Sequence, residues 1–315
     1  MKKNNCQIVM YHYVRDKKTN KYQNLKFLST EEFESQIIYL KKKYNLLDPS
    51  KVYENYNENK NLNSEDCFLT FDDGYADHYS FVLPILLKYN VKAFFFPPII
   101  STIAEDVLDV NRIHHILACK NDPPLLYKEI KQMFYEMELE NKYGDFDKYC
   151  QNLDHRSGNR YDENLSAIIK RLLQRDLDLE DRNEISNFLF NKYVSSDLRS
   201  FARELYMDIN QLREIKSYGH EIGSHGFFHN WYSKLSEAEQ SEDIQKSIKF
   251  LREHDLVGEK WSICYPYGDF NKTTIKILKN MNCSLGFTRV IPNNDGGYRT
   301  KLTIPRWDTN DYPKK

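Results

Sequence analysis

Glycine and proline are scarce, 11 and 10 in 315 residues, and 40% of the chain is hydrophobic. Together these exclude collagen-like, linker-like and intrinsically disordered classes. No window approaches the roughly 18 uninterrupted apolar residues that a membrane-spanning helix needs. Neither sign of charge is in excess: 45 Lys and Arg stand against 46 Asp and Glu, a formal net charge of −1. A net basic field suited to nucleic acid or an anionic membrane is therefore absent, and no nucleic-acid partner is expected. Paired cysteines are missing too. Cys6, Cys67, Cys119, Cys150, Cys264 and Cys283 show no C-x-x-C spacing. Several sit inside apolar runs, where Cys packs as a small hydrophobe. They read as reduced thiols of a cytoplasmic protein. Residues Met1 to Cys6 begin like a basic leader, but the following apolar stretch stops at His12, short of the about 7–15 residues of a signal-peptide core. The expected location is cytoplasmic.

What the chain does hold is aromatic bulk, 23 Tyr and 18 Phe, enough for a large core. Short apolar runs at Cys6–His12, Cys67–Phe71, Val91–Pro97, His220–Ser224, Trp261–Tyr265, Cys283–Thr288 and Leu302–Trp307 predict strands. Amphipathic stretches lie between them. Ser29 and Ser236 each open a capping box, Asn271 caps a helix reaching Met281, and Gly219 stops one running over Asp208–Tyr218. Pro84 marks a kink, or two pieces, within Ala76–Tyr89. This alternation predicts an α/β fold with about seven parallel strands and helices outside, as an open doubly wound sheet or a closed β/α barrel. Right-handed crossovers put all strand C-terminal ends on one face. Residues 101–207 break the rhythm, far longer than the usual loop of about 2–6 residues. They carry helical patterns of their own and read as an inserted helical subdomain, a candidate lid, in an otherwise single-domain chain.

Polar residues collect where the predicted strands end. Thr70-Phe71-Asp72-Asp73-Gly74 closes the second, and two adjacent carboxylates repel unless a cation relieves them. His225-Gly226-Phe227-Phe228-His229 follows the fourth, with two imidazoles spaced to share one metal. Asp73 would complete a three-ligand set with positions left open, the form of a catalytic metal site. Cys264-Tyr265-Pro266-Tyr267-Gly268-Asp269, Met10-Tyr11-His12-Tyr13 and Pro305-Arg306-Trp307-Asp308 end three more strands. Each taken alone is a turn, a packed histidine or a solvated arginine. Their shared position on one face of a barrel is what points to a site.

T-F-D-D-G, H-x-x-x-H and P-Y-G together resemble the polysaccharide deacetylase family, the NodB-homology domain of carbohydrate esterase family four. The resemblance covers most of the chain outside the insertion. It implies a distorted β/α barrel, a divalent metal and hydrolysis of acyl groups on sugars. By that match Asp72 is the catalytic base, and Asp73, His225 and His229 hold the metal, Zn2+ first, with Co2+, Ni2+, Mn2+ or Fe2+ as alternatives. Tyr11-His12-Tyr13 is similar to the permuted branch that includes poly-N-acetylglucosamine deacetylases, which implies His12 as the catalytic acid. Three departures stand out. Gly226 replaces the usual Ser or Thr, so a loop hydrogen bond is expected to be missing. Cys264 replaces an Arg found in many members, and Arg306 is the candidate to take its place. The late L-x-x-H of unpermuted members is absent, which leaves the acid's role to His12.

The expected function is a carbohydrate N-deacetylase. The backbone N–H of Tyr267 would help hold the oxyanion, and Trp231, Tyr267 and Trp307 are candidates to stack on sugar rings. The expected substrate is an N-acylated sugar, nucleotide-linked or lipid-linked, met in the cytoplasm. Two rivals remain. One is a non-haem iron oxygenase using two His and one carboxylate. The other is a non-catalytic sugar-binding relative.

Overall fold

The computed structural model describes residues 6–57, 62–153, 164–289 and 300–314. His155, within the 101–207 insertion, lies outside them. So do the first five residues of the leader-like start.

Seven strands match the seven apolar runs. They are β1 (Gln7–Tyr11), β2 (Asp66–Asp72), β3 (Ala93–Phe96), β4 (Glu221–Ile222), β5 (Ser262–Cys264), β6 (Leu285–Arg289) and β7 (Ile304–Asp308). Their order across the sheet is β4-β3-β2-β1-β7-β6-β5, with all pairings parallel. Just beyond β4, Ser224 bridges in parallel to Ile263 of β5 and joins the two ends. Ser224 N–H donates to the Ser262 carbonyl, and Cys264 N–H to the Ser224 carbonyl, at 2.9 Å each. The strands thus run in chain order around a ring, a distorted β/α barrel. Two residues, Asn45–Leu46, extend the sheet beside the start of β2.

Every residue of β2 and β3 is buried, which is why these strands read as continuous apolar runs and not as alternating ones. The period of two still sorts the side chains. Phe68, Phe94, Phe96, Leu285, Phe287 and Ile304 share one core, where the Phe94 and Phe96 rings pack on Phe287 at 5.6 and 5.5 Å. Leu69, Phe71 and Phe95 belong to another, packed with helix residues such as Phe33, Ile37 and Leu40. By this alternation Phe68, Thr70 and Asp72 share a face, so the strand that buries Phe68 also carries Asp72 into the barrel mouth.

The capping boxes at Ser29 and Ser236 open helices Thr30–Lys43 and Glu237–Glu253, and Asn271 caps Lys272–Asn280. Asp208 caps Ile209–Ser217. The stretch around Pro84 is two pieces, a π-helical turn His78–Val82 followed by helix Leu83–Lys88 with Pro84 in its first turn. There the missing proline N–H costs no helical bond.

The chain divides into two compact units. The barrel unit comprises 1–19, 27–106 and 202–315; the second comprises 20–26 and 107–201. Within its described residues the second unit is helical, from Asp109–Lys120 to Leu179–Tyr193, and helix Leu198–Leu205 starts in it and ends in the barrel unit. Among the described residues no helix is long and apolar enough to cross a membrane.

Candidate active site

Asp72 is the last residue of β2, and Asp73 begins the turn that follows. Asp73 and Gly74 both have positive φ, 68° and 69°. The turn can close only without a side chain at Gly74, because a Cβ there would stand 2.8 Å from Pro97 Cβ. The reversal separates the two carboxylates. Asp73 is 3% exposed and lies with His225 and His229, while Asp72 faces Arg306.

Asp73 Oδ1 stands 3.3 Å from His225 Nε2 and 3.4 Å from His229 Nε2. Its Oδ2 accepts the Tyr75 hydroxyl at 2.6 Å. His225 Nδ1–H donates to the Cys264 carbonyl at 2.8 Å. A carbonyl only accepts, so a proton sits on Nδ1, and Nε2 is the nitrogen turned toward Asp73, the one whose lone pair a metal would take. This is the outer-shell arrangement that orients a metal-binding imidazole. Four-coordinate Zn2+, with bonds of about 2.0–2.1 Å, keeps its ligand atoms about 3.3 Å apart. Both separations from Asp73 fit such an ion, and the three ligand atoms all lie within 4.8 Å of one another. The electrostatics agree. Burial pushes the Asp73 carboxyl up, yet His225 and His229 hold it well below the usual range. Burial likewise pushes His225 down, and the Cys264 and Asp73 side chains pull it well above instead. The cluster stabilises positive charge, which a divalent cation supplies. A second group, Asp72, His225 and Cys264, also has metal-ligand chemistry. There the Arg306 guanidinium already touches both Asp72 and Cys264, so the cation's place is taken.

Arg306, on β7 and 2% exposed, grips Asp72 with a two-pronged pair: Nη1 to Oδ1 at 2.8 Å and Nη2 to Oδ2 at 2.7 Å. It also donates to Thr70 Oγ1 at 3.0 Å, the Thr288 carbonyl at 3.2 Å and Cys264 Sγ at 2.8 Å. The Cys264 thiol in turn reaches Asp72 Oδ2 at 3.3 Å. Burial pushes Asp72 up, but the Arg306 charge and hydrogen bonds prevail and hold it at about 2. Asp72 is an anion across the ordinary pH range.

His12 follows β1 with its side chain 40% exposed, and Nε2 lies 4.0 Å from Asp72 Oδ2. Its carbonyl accepts a hydrogen bond from buried His78 Nε2 at 2.9 Å. Tyr267, with φ 59°, sits in the Pro266–Gly268 turn after β5. Its ring packs between His229, at 4.6 Å, and Trp231, stacked nearly parallel at 4.1 Å. Trp307 is exposed at the end of β7.

The structure thus brings Asp72, Asp73, His225, His229, His12, Arg306 and Tyr267 to one barrel mouth. The loop bond expected to be missing at Gly226 is supplied otherwise: Ser224 Oγ accepts the Gly226 N–H at 3.1 Å. Sequence reasoning missed Tyr75 and Asp243. Asp243 accepts the Phe227 and Phe228 N–H groups between the two histidines. One signal was available. Asp243 falls on the buried stripe Gln240, Ile244, Ser247, Ile248, Leu251 of its helix, where a solvated charge has no place.

A family model described as polysaccharide deacetylase matches residues 59–138 and 185–286. No curated protein matches the sequence. Among solved structures, the chain is similar to the deacetylase PplD of Streptococcus pyogenes, solved in complex with acetate, at 17% identity and TM-score 0.55, covering 96% of this chain and 91% of that one. IcaB from Ammonifex degensii follows at 18% identity and TM-score 0.53, with the same coverage. The BpsB deacetylase domain from Bordetella bronchiseptica is 16% identical with TM-score 0.51, covering 96% of this chain and 95% of that one. At these identities the likeness speaks for the fold.

Proposed function

The chain belongs to the polysaccharide deacetylase family, matched over more than half its length, and from that premise we propose a metal-dependent hydrolase that removes an N-acyl group, acetyl first, from a sugar or glycan precursor. One observation carries the reading: two neighbouring carboxylates face opposite partners, Asp73 two imidazoles and Asp72 an arginine with His12 beside it. Zn2+ held by Asp73, His225 and His229 would polarise the amide carbonyl and acidify a water.

Asp72 takes the proton of the attacking water. Each of its oxygens keeps accepting capacity beyond its Arg306 bond. Arg306 orients the carboxylate and keeps it ionised. The Tyr267 backbone N–H is the proposed oxyanion donor, a bond of a kind worth about 2.7–4 kcal/mol. His12, protonated, gives its proton to the departing amine nitrogen, a step worth about 10²–10⁴-fold. The Trp231–Tyr267 pair offers a flat apolar surface beside the ligand His229, suited to the face of a sugar ring. Against the oxygenase reading stands the all-parallel barrel, where an antiparallel architecture is expected.

The test is release of free amine from a panel of N-acetylated nucleotide sugars and oligosaccharides by Zn2+-loaded protein. Turnover of at least one member, abolished in Asp72→Asn at unchanged metal content, supports the reading. A loaded protein that binds a panel member and leaves every member intact is the sugar-binding relative instead.

A further inference from the structure

Asp243 is 2% exposed on helix Glu237–Glu253, outside the motifs that carry the family resemblance. Its carboxylate is spent on the loop that carries the two histidines. Oδ2 accepts the Phe227 N–H at 3.1 Å and the Tyr232 hydroxyl at 2.9 Å, and Oδ1 accepts the Phe228 N–H at 2.9 Å. One helical turn on, Ser247 Oγ meets Ser224 Oγ at 2.8 Å, and Ser224 Oγ accepts the Gly226 N–H. Two residues four apart, on one helix face, thus hold three consecutive backbone N–H groups, directly or through Ser224. Those groups are the whole of the segment between His225 and His229.

Gly226 is part of the same device. Its φ is +74°, and a Cβ there would stand 2.8 Å from Asp243 Oδ2 and 3.0 Å from the Tyr232 hydroxyl. A side chain at this position would press on the Asp243 carboxylate and the Tyr232 hydroxyl, and they would have to shift. In place of a Ser or Thr at 226, Ser224 holds the Gly226 N–H and Asp243 the next two.

We propose that Asp243 is a positioning residue for the metal centre: by fixing the 226–228 backbone it sets the separation of His225 and His229 and so the affinity for the ion. The proposal rests on the reading that Asp73, His225 and His229 hold that ion. Outer-shell partners of this kind typically change metal affinity by about 10–100-fold when removed. Asp243→Asn is the direct probe. The amide offers one acceptor oxygen, and its NH2 would face a donor that the carboxylate now satisfies.

The experiment measures Zn2+ affinity by chelator competition, the visible spectrum of the Co2+-loaded protein, and the melting temperature of the metal-free protein, for wild type, Asp243→Asn and His225→Ala. The expected result is a Zn2+ Kd about 10–100-fold weaker in Asp243→Asn, with an altered Co2+ spectrum, at a temperature where the metal-free variant is folded. An Asp243→Asn protein with a Kd within about twofold of wild type and an unchanged Co2+ spectrum overturns the proposal. Should Asp243→Asn fail to fold, Tyr232→Phe replaces it, removing one donor to Oδ2 and leaving the carboxylate. It is expected to weaken Zn2+ severalfold, and an unchanged Kd overturns the proposal in the same way. Failure of the underlying reading looks different: His225→Ala then keeps a full equivalent of tightly bound metal.

Discussion

Asp72 and Asp73 are adjacent, equally buried and chemically alike, yet they have opposite surroundings. Both are held ionised, Asp72 by a cation already in the protein, Asp73 by two imidazoles. Their separation was partly legible in the sequence, because a pair of acids ending a buried apolar run needs charge compensation. The Arg306–Asp72 pair spans 234 positions, and only barrel closure brings it together. Gly226 looked like a lost hydrogen bond, and Asp243, which with Ser224 compensates for it, was hidden in a helix whose charged residues mostly face water. His12 yields the sharpest residue-scale prediction. It is the half-exposed histidine 4.0 Å from the proposed base. His78 and His220 are buried and pushed down to about 4 by that burial, so neither is a protonated acid near neutral pH. His12→Asn should keep fold and metal while cutting amide hydrolysis by about two to four decades. An activated ester, whose leaving group needs no proton, should lose far less. Equal losses on both substrates would reduce His12 to a packing role.

At the scale of elements, the turns after the strands decide where chemistry sits. β2 and β3 were the most legible strands, because every residue in them is buried. The fourth was harder: His220–Ser224 reads as five residues, but regular pairing covers only Glu221–Ile222, with a single further bridge at Ser224. Turn conformation is not written in composition. Asp73 in the left-handed region is a strained choice for a non-glycine residue, costing on the order of 1 kcal/mol or more, and the fold around it must hold it there. Gly74 makes that possible by lying against Pro97. Gly74→Ala adds a methyl 2.8 Å from Pro97 Cβ and 3.1 Å from its Cα, at a φ of +69° that alanine resists. Neither obstacle is the far end of a flexible side chain, so the turn must shift. The expected cost is about 1–3 kcal/mol of stability, read from denaturant unfolding of the metal-free protein, with weaker Zn2+ binding because Asp73 moves too. Wild-type stability in Gly74→Ala would mean that the turn relaxes freely.

Barrel closure in chain order makes a core of the whole unit, and the groups sealed in it set how the molecule answers pH. His220 is 2% exposed, and its Nδ1 accepts the Ala93 N–H at 3.2 Å. His78 donates Nε2–H to His12. Both are kept neutral by burial, and a second proton on His220 Nδ1 would also set donor against donor. Burial lowers each from the ordinary 6.5 to about 4. The sign follows from proton uptake. Between those values the unfolded chain binds protons that the folded chain refuses, so stability is full above 6.5 and falls as pH drops toward 4. From pH 7 to pH 5 each such histidine removes about 2 kcal/mol. Glu221, raised to about 7 mainly by burial, acts the other way. Its folded form keeps a proton that the unfolded chain releases, and it adds stability as pH falls through 7. The contribution of one histidine is therefore best read as a difference. His220→Asn keeps an acceptor for the Ala93 N–H and removes the titrating ring. The stability lost between pH 7 and pH 5, from urea unfolding of metal-free protein, should shrink by about 2 kcal/mol in this variant. An unchanged loss would mean that His220 takes up its proton inside the folded barrel, and that the seal at the base of β4 admits water.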